Sequence, residues 1–143
     1  MFDIKDCVGI FATNESKKIG DNFNSKLKEK GLTRVQWIAL FYLGEAEDLS
    51  QTILGKKMNI RNSTVVALID RLEREKLIIR KKHDLDRRKT LISLTELGKD
   101  TREKTMYLGE TFNENLRKNI DNEDLQIFKK VFKKIVENSK KNL

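Results

Sequence analysis

The 143-residue sequence predicts a mainly α-helical fold with one small β-hairpin. Three features point there. Apolar residues recur at steps of three and four along most of the chain, the period of an amphipathic helix. Proline is absent and charged residues make up 36% of the sequence, which favours long helices with solvated faces over a turn-rich sandwich. Between positions 77 and 94 the period changes, and two β-prone runs, Leu77-Ile78-Ile79 and Leu91-Ile92-Ser93-Leu94, flank a polar stretch.

In chain order, Ile4, Val8, Phe11, Ile19, Phe23 and Leu27 mark a first helix over 4–29, ended by Gly31 as a left-handed cap. Thr33 and Gln36 have the spacing of a capping box, opening a second helix with Trp37, Leu40, Phe41 and Leu43 inside. Ser50 caps a short third helix through Met58. After a tight turn, a fourth runs from about Arg61 or Asn62 to Lys76, with Val65, Leu68, Ile69 and Leu72 as its inner stripe. Two short helices joined in this way form a helix-turn-helix. The hairpin follows, then a fifth helix capped by Thr95 and a sixth beginning at Asp121 or Asn122.

Composition excludes several classes of function. One cysteine permits no internal disulfide or cysteine-rich metal site, and one histidine leaves no histidine-based metal centre, so neither a metal nor a cofactor is expected. No run of about 18 apolar residues is present for a spanning helix. Residues Met1 to Asp6 carry acids where a signal peptide would carry bases, so a cytoplasmic chain is expected. An enzyme is not expected either. His83 sits alone in a basic loop, Gly55-Lys56-Lys57 lacks the earlier glycine of a phosphate-binding loop, and no carboxylate pair is set in a recognisable site.

The net charge of +8 implies an anionic partner, and its distribution narrows the choice. Residues 80–90 hold six bases against two acids, half of the net charge in eleven positions. A basic β-ribbon directly after a helix-turn-helix is a wing, placed to reach a neighbouring groove or phosphate backbone of DNA. Within it, Asp86 can orient Arg87 or Arg88 through a salt bridge, and an arginine so held suits a narrow minor groove. On the fourth helix, Ser63, Thr64, Ala67, Arg71 and Arg74 lie opposite the apolar stripe. Hydroxyls at a helix start can meet base edges or phosphates, alanine can meet a thymine methyl, and the arginines suit phosphate contacts. Arg61 and Asn62 complete the candidate DNA-contacting set.

These motifs resemble the MarR family of winged helix-turn-helix transcriptional regulators. The most specific stretch is Asp86-Arg87-Arg88 followed by Leu91-Ile92-Ser93-Leu94-Thr95-Glu96-Leu97-Gly98, similar to that family's wing. Asn62 to Glu73 resembles its recognition helix, and Leu32-Thr33 with Gln36 and Leu40 resembles the start of its second helix. The resemblance implies one domain over 1–143. A winged lobe would span 33–94, with the helix-turn-helix at about 50–76 and the wing at 77–94. The segments 4–30 and 95–143 would be dimerisation helices. It further implies Ser63 and Thr64 in the major groove, Arg71 on a phosphate, and Arg88 in the minor groove supported by Asp86. A homodimeric repressor of a pseudo-palindromic operator, relieved by a small-molecule effector, is the expected function. Two departures stand out: Arg61 occupies a capping position where the family favours Asp, and Lys76 replaces a Gly before the wing. At Lys76 a slightly altered helix exit is expected.

The first, fifth and sixth helices also carry surplus apolar surface, including Phe112, Phe128, Phe132 and Ile135, which a second copy would cover. A two-fold dimer would set two recognition helices about 34 Å apart. The lysines at 129, 130, 133, 134, 140 and 141 give the last helix an alternative reading as a peripheral membrane-binding segment. Effector candidates are Phe11, Trp37, Phe41 and Tyr107. Cys7 is a redox candidate, but Asp3 and Asp6 beside it work against a thiolate, and Ile4, Val8 and Phe11 suit a small interface hydrophobe.

Overall fold

The structure is a computed structural model that describes residue 1 and residues 3–141. Positions 2, 142 and 143, the last two within the expected 95–143 dimerisation segment, lie outside the described residues. A short 3-10 turn over Ile4–Asp6 precedes helix α1, Val8–Lys28. There follow α2 (Arg34–Glu45), β1 (Leu49–Ser50), α3 (Gln51–Met58), α4 (Asn62–Arg74), β2 (Ile78–Lys82), β3 (Thr90–Leu94), α5 (Glu96–Arg117) and α6 (Asn122–Ser139). The expected first helix over 4–29 is therefore interrupted at Cys7, whose extended backbone closes the 3-10 turn. Asp3 begins that turn by accepting a hydrogen bond from the Lys5 amide at 2.9 Å.

Two compact units divide the chain. One comprises residues 1–21 and 110–143, the other residues 22–109.

The second unit is the helix-turn-helix with its sheet. The Thr33–Gln36 capping box forms as expected: Thr33 Oγ1 accepts from the Gln36 amide at 3.2 Å, and the Thr33 amide donates to Gln36 Oε1 at 2.9 Å. Ser50 caps α3 through its hydroxyl, and Thr95 caps α5 by accepting from the Gly98 amide at 3.0 Å. Leu27, Leu40, Leu54, Val65, Ile69, Leu72, Ile78 and Ile92 are fully buried and form the centre of the core. Gly55 lets α3 approach α4, since a side chain there would press on Val65. That packing role accounts for the glycine of Gly55-Lys56-Lys57.

The hairpin is part of a three-stranded antiparallel sheet of order β1-β3-β2. Ile78 pairs with Leu94 and Lys82 with Thr90, while Leu49 and Ser50 add a two-residue strand opposite Ile92 and Leu91. So short a segment has no periodicity to reveal it in sequence.

The exit from α4 corrects the expectation for Lys76. Its φ is 60°, its amide donates to the Glu73 carbonyl, and the Leu77 amide reaches back to the Leu72 carbonyl. This is the left-handed closure that glycine normally serves. A lysine tolerates it at a cost of about 1 kcal/mol. Lys76→Gly is therefore expected to raise the urea midpoint by an amount equivalent to about 1 kcal/mol with an unchanged slope. A lower midpoint would show that the lysine side chain stabilises the turn.

The first unit exposes a broad apolar surface. Ile4, Val8, Phe11 and Ile19 lie on the N-terminal segment and α1, and Ile127, Phe128, Val131, Phe132 and Val136 on α6; all are exposed, whereas Phe112 and Ile135 are half-buried. Phe128 and Phe132 contact each other as a tilted pair with ring centroids 5.6 Å apart. Among the described residues, no helix is long and apolar enough to cross a membrane.

Candidate nucleic-acid interface

Helix α4 divides its residues as the sequence implies. Val65, Leu68, Ile69 and Leu72 are buried, while Asn62, Ser63, Thr64, Ala67, Arg71 and Arg74 are exposed. Arg61 occupies the N-cap without a side-chain hydrogen bond, and Asn59 closes α3 in the left-handed conformation. The amides of the first turn of α4 therefore face outward without a cap, a disposition that favours an anionic group.

The wing loop is held by its own backbone and side chains. The His83 amide donates to the Lys89 carbonyl at 3.1 Å and the Lys89 amide to the Asp86 carbonyl at 2.9 Å. His83 Nδ1 accepts from the amides of Leu85 and Asp86, both at 3.1 Å. Asp86 Oδ1 accepts from both the Arg88 amide and Arg88 Nε at 3.1 Å. The Arg88 guanidinium and then its backbone amide hold the Asp86 carboxyl below the usual carboxylate range. The expected orienting pair is thus Asp86 with Arg88, not with Arg87. Arg88 remains 93% exposed, so its charge is placed without being hidden.

The elements converge. A groove of about 570 Å³ is lined by Gln51, Thr52 and Ile53 of α3, Asn62 of α4, and His83 and Arg88 of the wing. One residue from the recognition-helix set and one from the wing set therefore share a single concave surface.

Not every base in the stretch 80–90 is free. Arg80 bridges Asp70 at 2.8 Å and Glu73 at 2.7 Å, both on α4, and Glu73 first, then Asp70, raises its already high pKa. Lys81 pairs with Asp48 at 2.7 Å, which raises the lysine and lowers the carboxyl. The local charge of 80–90 therefore overstates what the wing can offer a partner. Arg71 is likewise engaged, by Glu75 at 3.1 Å, and the other Glu75 oxygen accepts from Nε2 of the buried Gln36 side chain at 2.7 Å. The side chains of Arg61, Arg74 and Arg87 make no hydrogen bond or ion pair among the described residues.

Two side chains of these elements were not singled out by the sequence. Val66 is exposed on α4 one turn beyond Asn62 and Ser63, an apolar side chain on the polar face. Arg80 acts within the protein, and the Asp70/Glu73 spacing of three was the signal for it.

The effector candidates separate. Trp37 donates to the Thr105 carbonyl at 3.1 Å, meets Phe23 edge-on at 5.1 Å and stacks on Phe41 at 6.5 Å. Tyr107 is half-exposed in the same unit, and Phe11 is exposed in the other. A groove of about 860 Å³ beside Leu43, Glu47, Lys81, Lys99, Arg102 and Met106 includes none of the four. Cys7 is partly exposed. No metal-ligating cluster occurs among the described residues.

Comparisons with known proteins agree with this geometry. The sequence model of the MarR family matches residues 30–89. The chain is 36% identical over 85 residues to the HTH-type transcriptional regulator SarZ of Staphylococcus epidermidis, a match covering 59% of this chain. That match spans 57% of the relative's length. It is 31% identical over 100 residues to the organic hydroperoxide resistance transcriptional regulator of Bacillus subtilis, covering 70% of this chain and 67% of that one. Among solved structures, MepR of S. aureus in complex with DNA has the same fold. Its TM-score is 0.85 at 24% identity, over 92% of this chain and 98% of that chain.

Proposed function

This chain belongs to the MarR family of winged helix-turn-helix transcriptional regulators, and from that premise we propose that it is a homodimeric, sequence-specific repressor that binds double-stranded DNA. The observation that carries this reading is the shared groove of Asn62 and Arg88, which puts a helix start and a basic ribbon on one face. The first turn of α4 enters the major groove, with Asn62, Ser63, Thr64, Val66 and Ala67 reading base edges. Arg61 and Arg74 hold phosphates, as does Arg71 when it exchanges Glu75 for the backbone. Arg88, supported by Asp86, enters the minor groove, and Arg87 adds a phosphate contact. Arginine and lysine contacts release counterions, so affinity falls steeply with salt.

The exposed apolar residues of the first unit support a second copy, and pairing through them would present two recognition helices to a pseudo-palindrome. MepR, whose solved complex contains DNA, supports the reading by likeness of fold. A small-molecule effector that releases the DNA completes the proposal, with the stacked Trp37 and Phe41 as its aromatic platform and Tyr107 and Phe11 as further candidates.

Selection of duplexes from a random pool at near-physiological salt tests the whole reading. Enrichment of an inverted repeat with half-sites about one helical turn apart is expected; salt-sensitive binding without enrichment would refute sequence readout. On the selected duplex, Arg88→Ala is expected to weaken binding by about 1–3 kcal/mol in an anisotropy titration. Unchanged affinity would remove Arg88 from the interface.

A further inference from the structure

The single histidine of the chain is at the base of the wing loop, and its contacts are unlike those of a solvated surface side chain. Its ring is half-buried, and Nδ1 receives two backbone N–H groups, from Leu85 and Asp86, each at 3.1 Å. An amide can only donate, so the nitrogen that accepts both bonds must carry a lone pair. That assigns the neutral ring with its proton on Nε2. Two and three residues back from its donors, His83 occupies the place that Asn, Asp or Ser takes when a short side chain closes a loop onto its own backbone.

The bonds continue toward the DNA-facing arginine. The second donor is the amide of Asp86, and the carboxylate of the same residue holds Arg88 by its amide and its Nε. Neutral His83 therefore sets the backbone of the residue that aims Arg88. We infer that His83 is a positioning residue for the wing, and that its protonation releases Arg88 and weakens DNA binding. This inference rests on the DNA-binding reading of the wing given above.

Protonation has two consequences of the same sign. An imidazolium has no lone pair at Nδ1, so both amide bonds are lost together. The new cation would also attract the Asp86 carboxylate, in competition with Arg88. The other charged groups near the ring are Asp84, Arg88 and Lys89 on its own loop and Asp48 at the start of the sheet. From α3 and α4, Gln51, Thr52 and Asn62 line the same groove and do not titrate. A cationic wing residue would by charge alone tighten binding to a polyanion on acidification. The structure requires the opposite trend, and that sign separates positioning from electrostatics.

The test compares the full chain with His83→Asn, which keeps a side-chain acceptor without a titrating ring, and with His83→Ala, which keeps neither. Between about pH 7.5 and 5.5, wild-type affinity for the selected duplex is expected to fall roughly three- to ten-fold. His83→Asn should bind equally at both ends of that range, and His83→Ala should bind weakly throughout. A DNA-free measurement accompanies it: the Leu85 and Asp86 amide resonances should titrate together with the His83 ring and stay still in His83→Asn. Wild-type affinity that rises or is constant on acidification would overturn the inference, as would a His83→Asn profile identical to wild type. So would amides that ignore the ring. Absence of binding by all three proteins at every pH would instead refute the DNA-binding reading itself.

Discussion

Gly98→Ala should lower the unfolding free energy by about 3 kcal/mol, the upper part of the range for forced overpacking. A Cβ at this position would overlap the Leu77 carbonyl oxygen and crowd the Leu94 side chain at 3.2 Å. Neither the glycine nor the carbonyl can move away freely. The Leu77 carbonyl accepts from the Thr95 amide at 3.1 Å, the Gly98 amide donates to Thr95 Oγ1, and that hydroxyl donates to the Lys76 carbonyl at 2.6 Å. One threonine thus joins the exit of α4, the end of β3 and the start of α5, and Gly98 lies inside the clasp. The measurement is urea or thermal unfolding of wild type and variant at matched protein concentration, because dimerisation would make stability depend on it. A loss under about 1 kcal/mol, the level of an ordinary surface change, would mean that α5 can start elsewhere at little cost.

Replacing both Phe128 and Phe132 with Glu is expected to abolish dimerisation. Light scattering should give about 16.7 kDa for the variant and about twice that for the wild type. The two rings are exposed in the single chain, at 61% and 37%, and meet as a tilted pair, so they form a ready apolar ridge on α6. Burying each against a second copy contributes roughly 1.5–3 kcal/mol. A carboxylate in its place must be desolvated opposite its symmetry mate, which costs more than the ring contributes. Because these side chains face outward, the helical circular dichroism should be largely kept. A wild type that is monomeric at micromolar concentration would refute the dimer, and a variant that remains dimeric would move the interface off α6.

Legibility followed the range of the interaction. Caps are local, so the Thr33–Gln36 box, Ser50 and Thr95 were readable from spacing alone. The α4 stripe was readable too, since one helix period decides which residues are inside. The candidate DNA face, Arg61 to Arg74, emerged exposed as the pattern required. What escaped notice depends on chain segments that meet only after folding. The pairing of Leu49 and Ser50 with β3 joins residues more than forty positions apart. The engagement of Arg80 and Lys81 by acids from α4 and the α2–β1 loop turned apparent free charge into internal bonds. Lys76 shows a different limit: the substitution suggested a changed helix exit, yet surrounding hydrogen bonds impose the left-handed conformation on a lysine. His83 read as a basic-loop residue because nothing in the sequence marks a ring nitrogen as a backbone acceptor.

The double bridge from Arg80 to Asp70 and Glu73 fastens strand β2 to the outer side of α4. Helix and ribbon then behave as the two jaws of a caliper whose gap is set before any duplex arrives. On the proposed DNA-binding reading, a half-site would be accepted only when its base edges and the width of its flanking minor groove match at one fixed separation. Operator preference should accordingly show paired dependence between positions under the helix and positions under the wing. Loosening the bridge would make those two readings independent, trading selectivity for tolerance without altering any side chain that touches DNA.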